Sequence, residues 1–226
     1  GIYRLDGREY PMGQHGFARD MEFQLKSQVA SEIWFVLESN EETMQKYPYP
    51  FTLELGYELK ENTVVVKWIV KNPAKEEMYF SIGGHPAFLC PIEEGTKQTD
   101  YSIRLDAGEK VTASTLDNGL VDGKTVDHCL DQGMLSVTEH LFDGDALVIE
   151  HDQAHSVALV KPDGEAYLTV TFDAPLFGIW SPPKKQAPFI CIEPWYGRCD
   201  RADFAGDWTE REWGQTLAPG GTFQTA

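Results

Sequence analysis

The chain has 226 residues, of which 42% are apolar and 12% aromatic, and its formal net charge is −17. This composition can supply a large hydrophobic core and excludes an intrinsically disordered chain. The acidic excess disfavours binding to nucleic acid or to anionic membranes, and no apolar run approaches the roughly 18 residues that span a bilayer. We interpret the charge mainly as a determinant of solubility.

Short β-rich runs separated by turn residues dominate the first half of the chain. Strands are predicted in SEIWFVLES (31–39), FTLELGYEL (51–59), TVVVKWIVKN (63–72) and EEMYFSIG (76–83). In the second run the odd-numbered positions are apolar and the even ones mostly polar, so we expect one buried face and one solvent-exposed face. The third run contains the nearly continuous VVVKWIV, which favours a central strand.

The second half continues this pattern with the runs YSIRL, ALVIEHD, SVALVKP, YLTVTFD, FGIWS and FICIEPW. Asp163-Gly164 marks a turn between two of them. Residues 135–142 are compatible with a short helix. Many short strands with Gly, Asn and Asp turns predict an all-β fold, a large antiparallel β-sandwich.

We predict one domain over residues 1–226, because the sequence contains no internal repeat, low-complexity tract or linker. The chain opens within a hairpin-like segment, YRLDGREY, and ends on LAPGGTFQTA, where a further strand is expected. We therefore expect this domain to lack terminal strands.

The four cysteines, Cys90, Cys129, Cys191 and Cys199, form no C-x-x-C pair, so a structural zinc site is not expected. Free thiols in a reducing cytoplasm are the simplest interpretation, and the first residues show no signal-peptide pattern. We therefore predict a cytoplasmic protein. A disulfide between Cys191 and Cys199 stays open, since it depends on local geometry.

Glu193 is the most informative ionisable residue. It lies in FICIEPW, between Ile192 and Pro194 at the end of an apolar strand, so we expect it to be at least partly buried. Burial raises the pKa of an unpaired carboxyl group, and such a group is suited to act as a general base. The alternative is a carboxylate that caps backbone amides beyond the strand.

Four further side chains have the chemistry to bind or transform a ligand: His15, Arg19, His85 and Asp173. Taken alone, each has a simpler structural interpretation. The two histidines fit loop and turn positions, Arg19 fits an ion pair with a neighbouring acidic residue, and Asp173 fits an Asx-type turn. A metal site from His15, His85 and Glu193 is conceivable, but the H-x-H or H-x-x-x-H spacing that would favour it is absent.

Four motifs in order, QHGFARD, GGHPAF, FDAPLFGIWS and IEPW, resemble the aldose 1-epimerase (mutarotase) family and are most similar to its LacX-like branch. The resemblance covers nearly the whole chain. It implies a β-supersandwich with a sugar cleft across one sheet. It also implies an isomerase that interconverts the α and β anomers of a free hexose and needs no metal and no organic cofactor. The expected partner is a small-molecule sugar, and the resemblance gives no oligomeric state.

By this resemblance, Glu193 matches the general base of the family and His85 the general acid, with the two groups on opposite sides of the sugar. His15 matches a histidine that contacts the substrate near the ring oxygen. Asp173 matches an acidic residue that hydrogen-bonds sugar hydroxyls, and Arg19 a residue that binds sugar oxygens. Four aromatic residues are further candidates for an apolar face against the ring: Trp34, Phe88, Trp180 and Trp195.

Three alternatives remain at this point. The hexose-6-phosphate 1-epimerases of the same superfamily use a similar arginine for the phosphate, so Arg19 keeps a phosphosugar open, whereas GGHPAF and the acidic surface favour an uncharged sugar. A non-catalytic carbohydrate-binding module would not need both His85 and Glu193. A metal-dependent sugar isomerase would bind its metal through His15, His85 and Glu193.

Overall fold

The computed structural model describes residues 1–185 and 187–226 of the chain. Two compact units are present: Gly1–Phe80 together with Ala205–Ala226, and Ser81–Phe204. Paired strands in both units are antiparallel, which confirms the predicted all-β class. The interpretation of residues 1–226 as one domain stays a prediction.

The first unit contains three antiparallel sheets. Its strands are β1 (Ile2–Leu5), β2 (Arg8–Pro11), β3 (Gln24–Gln28), β4 (Glu32–Glu38), β5 (Thr52–Lys60), β6 (Thr63–Lys71), β7 (Met78–Phe80), β19 (Gln215–Leu217) and β20 (Thr222–Thr225). The strand order is β1-β2 in one sheet, β19-β7 in the second and β20-β6-β5-β4-β3 in the third. The helix α1 (Glu41–Lys46) begins after Asn40, whose side chain accepts a hydrogen bond from the Thr43 amide.

Three of the strands predicted in the first half are confirmed as β4, β5 and β6, and β6 lies inside its sheet as expected for a central strand. The expected burial of β5 is wrong. Glu54 on the polar face is only 5% exposed, because Lys26 and Lys71 both bind its carboxylate. Leu59 on the apolar face is 57% exposed. Alternation therefore identified the strand and not the face that is buried.

The second unit contains the remaining strands in two antiparallel sheets. They are β8 (Ile82–Gly83), β9 (Ala87–Leu89), β10 (Ser102–Leu105), β11 (Lys110–Asp117), β12 (Leu120–Cys129), β13 (Met134–Ser136), β14 (Leu147–Ile149), β15 (Ser156–Val160), β16 (Ala166–Thr171), β17 (Leu176–Trp180) and β18 (Phe189–Tyr196). The larger sheet has the order β12-β11-β14-β17-β18-β8, with β9 also paired to β18, and the smaller has the order β13-β10-β15-β16.

The two sheets of the second unit enclose one hydrophobic core. Ile103 and Leu159 come from the smaller sheet, and Ile149, Ile179 and Ile192 from the larger, and all five are fully buried. Their removal from water is the main driving force for this sandwich, at about 25 cal/mol per Å² of apolar surface. The core lies under β17 and β18, so these two strands form a rigid support for the residues on their other face.

The helix predicted at residues 135–142 is wrong. Met134–Ser136 form β13, which pairs with β10, and tight turns follow, in which Leu141 donates to the Thr138 carbonyl and Asp143 to the His140 carbonyl. The ladder with β10 satisfies the backbone groups that a helix would otherwise pair. Tertiary hydrogen bonding therefore overrides a weak local preference.

The hairpin-like segment YRLDGREY and the Asp163-Gly164 turn are both confirmed. Asp6 and Gly7 have φ of 49° and 73° and join β1 to β2, as a tight hairpin requires. Gly164 has φ of 89° and lies in the connection between β15 and β16.

Cys90, Cys129, Cys191 and Cys199 form no disulfide within residues 1–185 and 187–226, so the alternative of a Cys191–Cys199 disulfide is wrong. Within residues 1–185 and 187–226, no helix has both the length and the apolar character of a membrane span.

Candidate active site

The register of β18 brings a carboxylate and an imidazole together. Trp195 of β18 pairs with Gly83 of β8, and Cys191 of β18 pairs with Ala87 of β9. Between these two pairs, the chain leaves the ladder over residues 84–86 and returns to it. Glu193 lies midway between Cys191 and Trp195, so the interruption falls opposite its side chain.

His85 occupies that interruption. Its Nδ1 lies 3.2 Å from Oε1 of Glu193, with side-chain exposures of 38% and 6%, respectively. The Gly84 amide donates to the Pro194 carbonyl at 3.0 Å, which fixes the connection to β18. Pro86 restricts the backbone of His85 to extended conformations. The site therefore has a buried carboxylate and an imidazole that solvent and ligands can reach.

The direct contact between His85 and Glu193 differs from the expected placement on opposite sides of a sugar. A pyranose ring does not fit within a 3.2 Å separation of Nδ1 and Oε1. A ligand would therefore approach both groups from the same side, where the imidazole is exposed. Glu193 is bound by the side chains of His85 and Trp195, so it is more than a cap on backbone amides.

Burial raises the pKa of Glu193 to about 8, and the negative charge of Asp145 acts in the same direction. The Trp195 indole N–H donates a hydrogen bond to the carboxylate and opposes this shift by favouring the ionised form. Nδ1 of His85, 3.2 Å from Oε1, stabilises the carboxylate further whenever it carries a hydrogen, in the neutral Nδ1–H tautomer as well as in the imidazolium. A carboxyl group whose pKa lies near neutrality can both accept and return a proton under physiological conditions.

Two glycines make room for Trp195. A Cβ on Gly178, which pairs with Glu193, would lie 2.4 Å from Cη2 of the indole, and a Cβ on Gly83 would lie 2.6 Å from Cδ1. Both distances are far below van der Waals contact. Any other residue at either position would displace the ring whose N–H binds Glu193.

Trp180 and Cys191 complete the surroundings of the pair. The Trp180 ring meets the His85 ring edge-on, with centroids 5.7 Å apart and an interplanar angle of 86°. Cys191 is 1% exposed and points to the same face of β18 as Glu193. The ligand atoms of His85, Cys191 and Glu193 all lie within 4.8 Å of one another.

The other predicted site residues lie elsewhere in the chain. His15 is exposed in a turn of the first unit, and Arg19 is exposed in a single 3₁₀ turn, where its Nε lies 3.8 Å from a carboxylate oxygen of Asp20. Asp173 is exposed between β16 and β17 of the second unit. Their substrate-binding roles stay predictions.

Two of the aromatic candidates have packing roles. The Trp34 ring lies over Gly56 in the first unit, with the ammonium groups of Lys26 and Lys67 6.0 and 5.7 Å from its centroid. Phe88 packs against the core of the second unit.

Sequence reasoning missed Cys191 and Gly178 as parts of the site. Two signals were available. Positions two apart in a strand face the same way, so Cys191 accompanies Glu193. A glycine inside a strand, as in FGIWS, indicates a close approach by another group, here the Trp195 ring.

Comparison with known proteins identifies the family of this chain. A family model described as aldose 1-epimerase matches residues 2–225. The chromosomal LacX protein of Lactococcus lactis subsp. lactis is 34% identical over 204 residues, which cover 87% of this chain and 68% of that protein.

Solved structures of similar proteins share the fold. A galactose mutarotase related enzyme from Lactobacillus acidophilus is 31% identical with a TM-score of 0.88, covering 99% of this chain and 75% of that one. A galactose mutarotase-like protein from Lactobacillus casei is 30% identical with a TM-score of 0.89, covering 99% of this chain and 77% of that one. The predicted galactose mutarotase-like fold is thereby confirmed.

Proposed function

Because this chain belongs to the aldose 1-epimerase family, whose members act on sugars, we propose that it is a mutarotase that interconverts the α and β anomers of a free hexose. One observation carries the proposal: a buried carboxylate, Glu193, is in contact with an imidazole, His85, that a ligand can reach. Ring opening of a pyranose requires one proton to be removed and another to be supplied, and this pair has the groups for both transfers.

Glu193 is proposed as the general base. Its carboxylate accepts the proton of the C1 hydroxyl, and the electron pair left on that oxygen forms the carbonyl of the open-chain aldehyde as the bond from C1 to the ring oxygen breaks. A pKa raised to about 8 by burial makes the carboxylate a stronger base than an exposed one. The Trp195 N–H stabilises the ionised form that is ready to react.

His85 is proposed as the general acid. It donates a proton to the ring oxygen as the bond to C1 breaks, and after rotation about the C1–C2 bond the reverse transfers close the other anomer. The hydroxyl and the ring oxygen are both bonded to C1, so an acid and a base in mutual contact can serve both from one side. Holding them in this geometry is the main contribution of the β8–β9 connection.

The surroundings of the pair support an uncharged sugar. The neighbours described above are two indoles, a thiol and Asp145, all of them neutral or acidic. A 6-phosphate would add negative charge to a chain that already carries −17. The indoles also suit the apolar face of a pyranose.

Proton NMR of freshly dissolved α-D-glucose and α-D-galactose tests the proposal, with the two 6-phosphates run in parallel. We expect faster anomeric equilibration of a free hexose, lost in Glu193→Gln and retained in Glu139→Gln, an exposed glutamate of the same unit. Acceleration of the phosphates alone would assign a hexose-6-phosphate 1-epimerase. Saturable binding without acceleration of any sugar would assign a carbohydrate-binding module.

A further inference from the structure

A thiol lies beside the proposed acid/base pair. Cys191 and Glu193 are two positions apart on β18 and face the same way, and the β8–β9 connection places His85 next to both. The ligand atoms of the three residues lie within 4.8 Å of one another, and both β18 residues are buried. The proposed proton transfers to and from a sugar use the imidazole and the carboxylate, and the thiol takes no part in them.

Sulfur, imidazole nitrogen and carboxylate oxygen are the three donor types that bind Zn²⁺ in proteins. Three protein ligands with a fourth position open to solvent form a typical site for a dissociable zinc ion, and the soft thiolate selects zinc over the magnesium and calcium that are more abundant in cells. Tetrahedral donors at zinc distances are about 3.6 Å apart. Because the donor atoms here lie within 4.8 Å of one another, no pair needs to close by more than about 1 Å to reach that spacing.

We propose that His85, Cys191 and Glu193 form a zinc site whose occupancy inhibits the enzyme. The inhibitory effect rests on the proposed mutarotase function, whereas binding of the ion does not. Bound Zn²⁺ occupies the lone pairs that Glu193 and His85 use to accept protons, so neither group can serve the sugar until the ion leaves.

Zn²⁺ binds the Cys191 sulfur as a thiolate, so formation of the S–Zn bond releases the thiol proton to solvent. The affinity of the site should therefore rise with pH. Chelators should remove the ion without denaturing the core of the second unit, because the β18 core residues Ile190 and Ile192 lie on the opposite face of that strand.

Titration of the full chain with Co²⁺, followed by displacement with Zn²⁺, tests the site without reference to activity. A thiolate bound to Co²⁺ gives a charge-transfer absorption that imidazole and carboxylate ligands do not give. We expect one equivalent of Co²⁺ to produce this absorption and one equivalent of Zn²⁺ to abolish it. The matched control is Cys129→Ser, which removes an exposed cysteine and should leave the signal unchanged.

Two variants locate the ion. Cys191→Ser should remove the absorption, and His85→Gln should weaken Co²⁺ binding by about tenfold or more. If circular dichroism shows that Cys191→Ser is unfolded, the Co²⁺ affinity of His85→Gln still tests the site, because His85 is exposed and its replacement should not unfold the protein. Absence of the absorption in the wild-type protein, or its persistence in Cys191→Ser, would overturn the proposal, as would unchanged affinity in His85→Gln.

The activity measurement separates this inference from the proposed function. In a mutarotase with this site, Zn²⁺ should slow anomeric equilibration of the wild-type protein and EDTA should restore it. Binding of Co²⁺ through Cys191 in a protein that accelerates no sugar would overturn the mutarotase function and leave the metal site intact. Full mutarotase activity at saturating Zn²⁺ would overturn the inhibition.

Discussion

Nδ1 of His85 lies 3.2 Å from Oε1 of Glu193, although the imidazole belongs to the connection between β8 and β9 and the carboxylate to the strand with which both of these pair. The two side chains meet because β18 accepts β8 at Trp195 and β9 at Cys191, which leaves the His85 turn opposite Glu193. The pair is therefore a product of sheet register, and it stays in place only while β18 is correctly paired with both β8 and β9.

Replacement of His85 by Ala should lower the rate of anomeric equilibration by about 10²–10⁴-fold, because the general acid is lost. The free energy of unfolding should change little, since the side chain is 38% exposed. Anomeric NMR and thermal unfolding measure the two quantities. His140→Ala is the control, because His140 is exposed and paired with Asp143 on the surface of the same unit. An unchanged rate in His85→Ala would remove His85 from the mechanism.

The pH profile of kcat/KM, measured in EDTA, should have its acid limb well above the ordinary range of a glutamate. Burial raises the pKa of Glu193 from 4.5 to about 8, so the fraction of ionised base falls as the pH drops through that value. The His85–Glu193 contact makes the observed pKa a property of the pair. An acid limb near 4.5 would show that Glu193 is not the base or is not buried in solution.

Ionisation of Glu193 should raise the activity but lower the stability of the protein as the pH increases. Because the pKa of Glu193 is raised on folding, its contribution to the free energy of unfolding is fully present below pH 4.5 and is lost as the pH rises toward about 8. Urea unfolding across this window should show a smaller pH dependence in Glu193→Gln than in the wild type. Equal slopes in the two proteins would contradict the shift.

Gly178→Ala should displace the Trp195 indole, whose N–H binds Glu193. The new methyl group would lie 2.4 Å from Cη2 of Trp195, so the indole must move and its hydrogen bond to Glu193 weakens. We expect a loss of about 1–3 kcal/mol in the free energy of unfolding, together with a lower kcat. Gly108→Ala is the control, because a Cβ there meets nothing within 4 Å. Equal behaviour of the two variants would show that Trp195 needs no glycine beneath it.

Arg198→Ala should destabilise the second unit strongly. Nε of Arg198 lies 2.7 Å from a carboxylate oxygen of Glu150, with side-chain exposures of 5% and 9%, and Ser114 donates to the same carboxylate. Removing the arginine leaves a buried charge without its cation, which costs about 3–5 kcal/mol.

The double variant Arg198→Ala/Glu150→Ala should recover part of that loss, because it removes the stranded charge as well. Arg201→Ala, at an exposed pair with Asp203, should cost less than about 1 kcal/mol. Similar urea midpoints for Arg198→Ala and Arg201→Ala would contradict the importance of the buried pair.

Strand content and turns followed from local rules. Composition and alternation identified β4, β5 and β6, and the segment YRLDGREY and the turn Asp163-Gly164 marked two hairpins, because residue type, side-chain period and positive φ are properties of a few neighbouring residues. Four motifs in order were sufficient to indicate the family, which the comparisons confirm. The same local rules indicated the residue types of the site: a carboxylate after an apolar strand and a histidine in a Gly-Pro turn.

Burial and contact were decided only by the folded chain. Glu54 is buried on the polar face of β5 because Lys26 of β3 and Lys71 of β6 neutralise it, and residues 134–136 are a strand because β10 pairs with them. Likewise, Cys191 joins His85 and Glu193 through the register of β18 with β8 and β9. Sheet register joins residues that are far apart in the chain, and no local propensity encodes which of several similar apolar strands will pair. Local chemistry therefore indicated what the residues can do, and long-range pairing determined which of them act together.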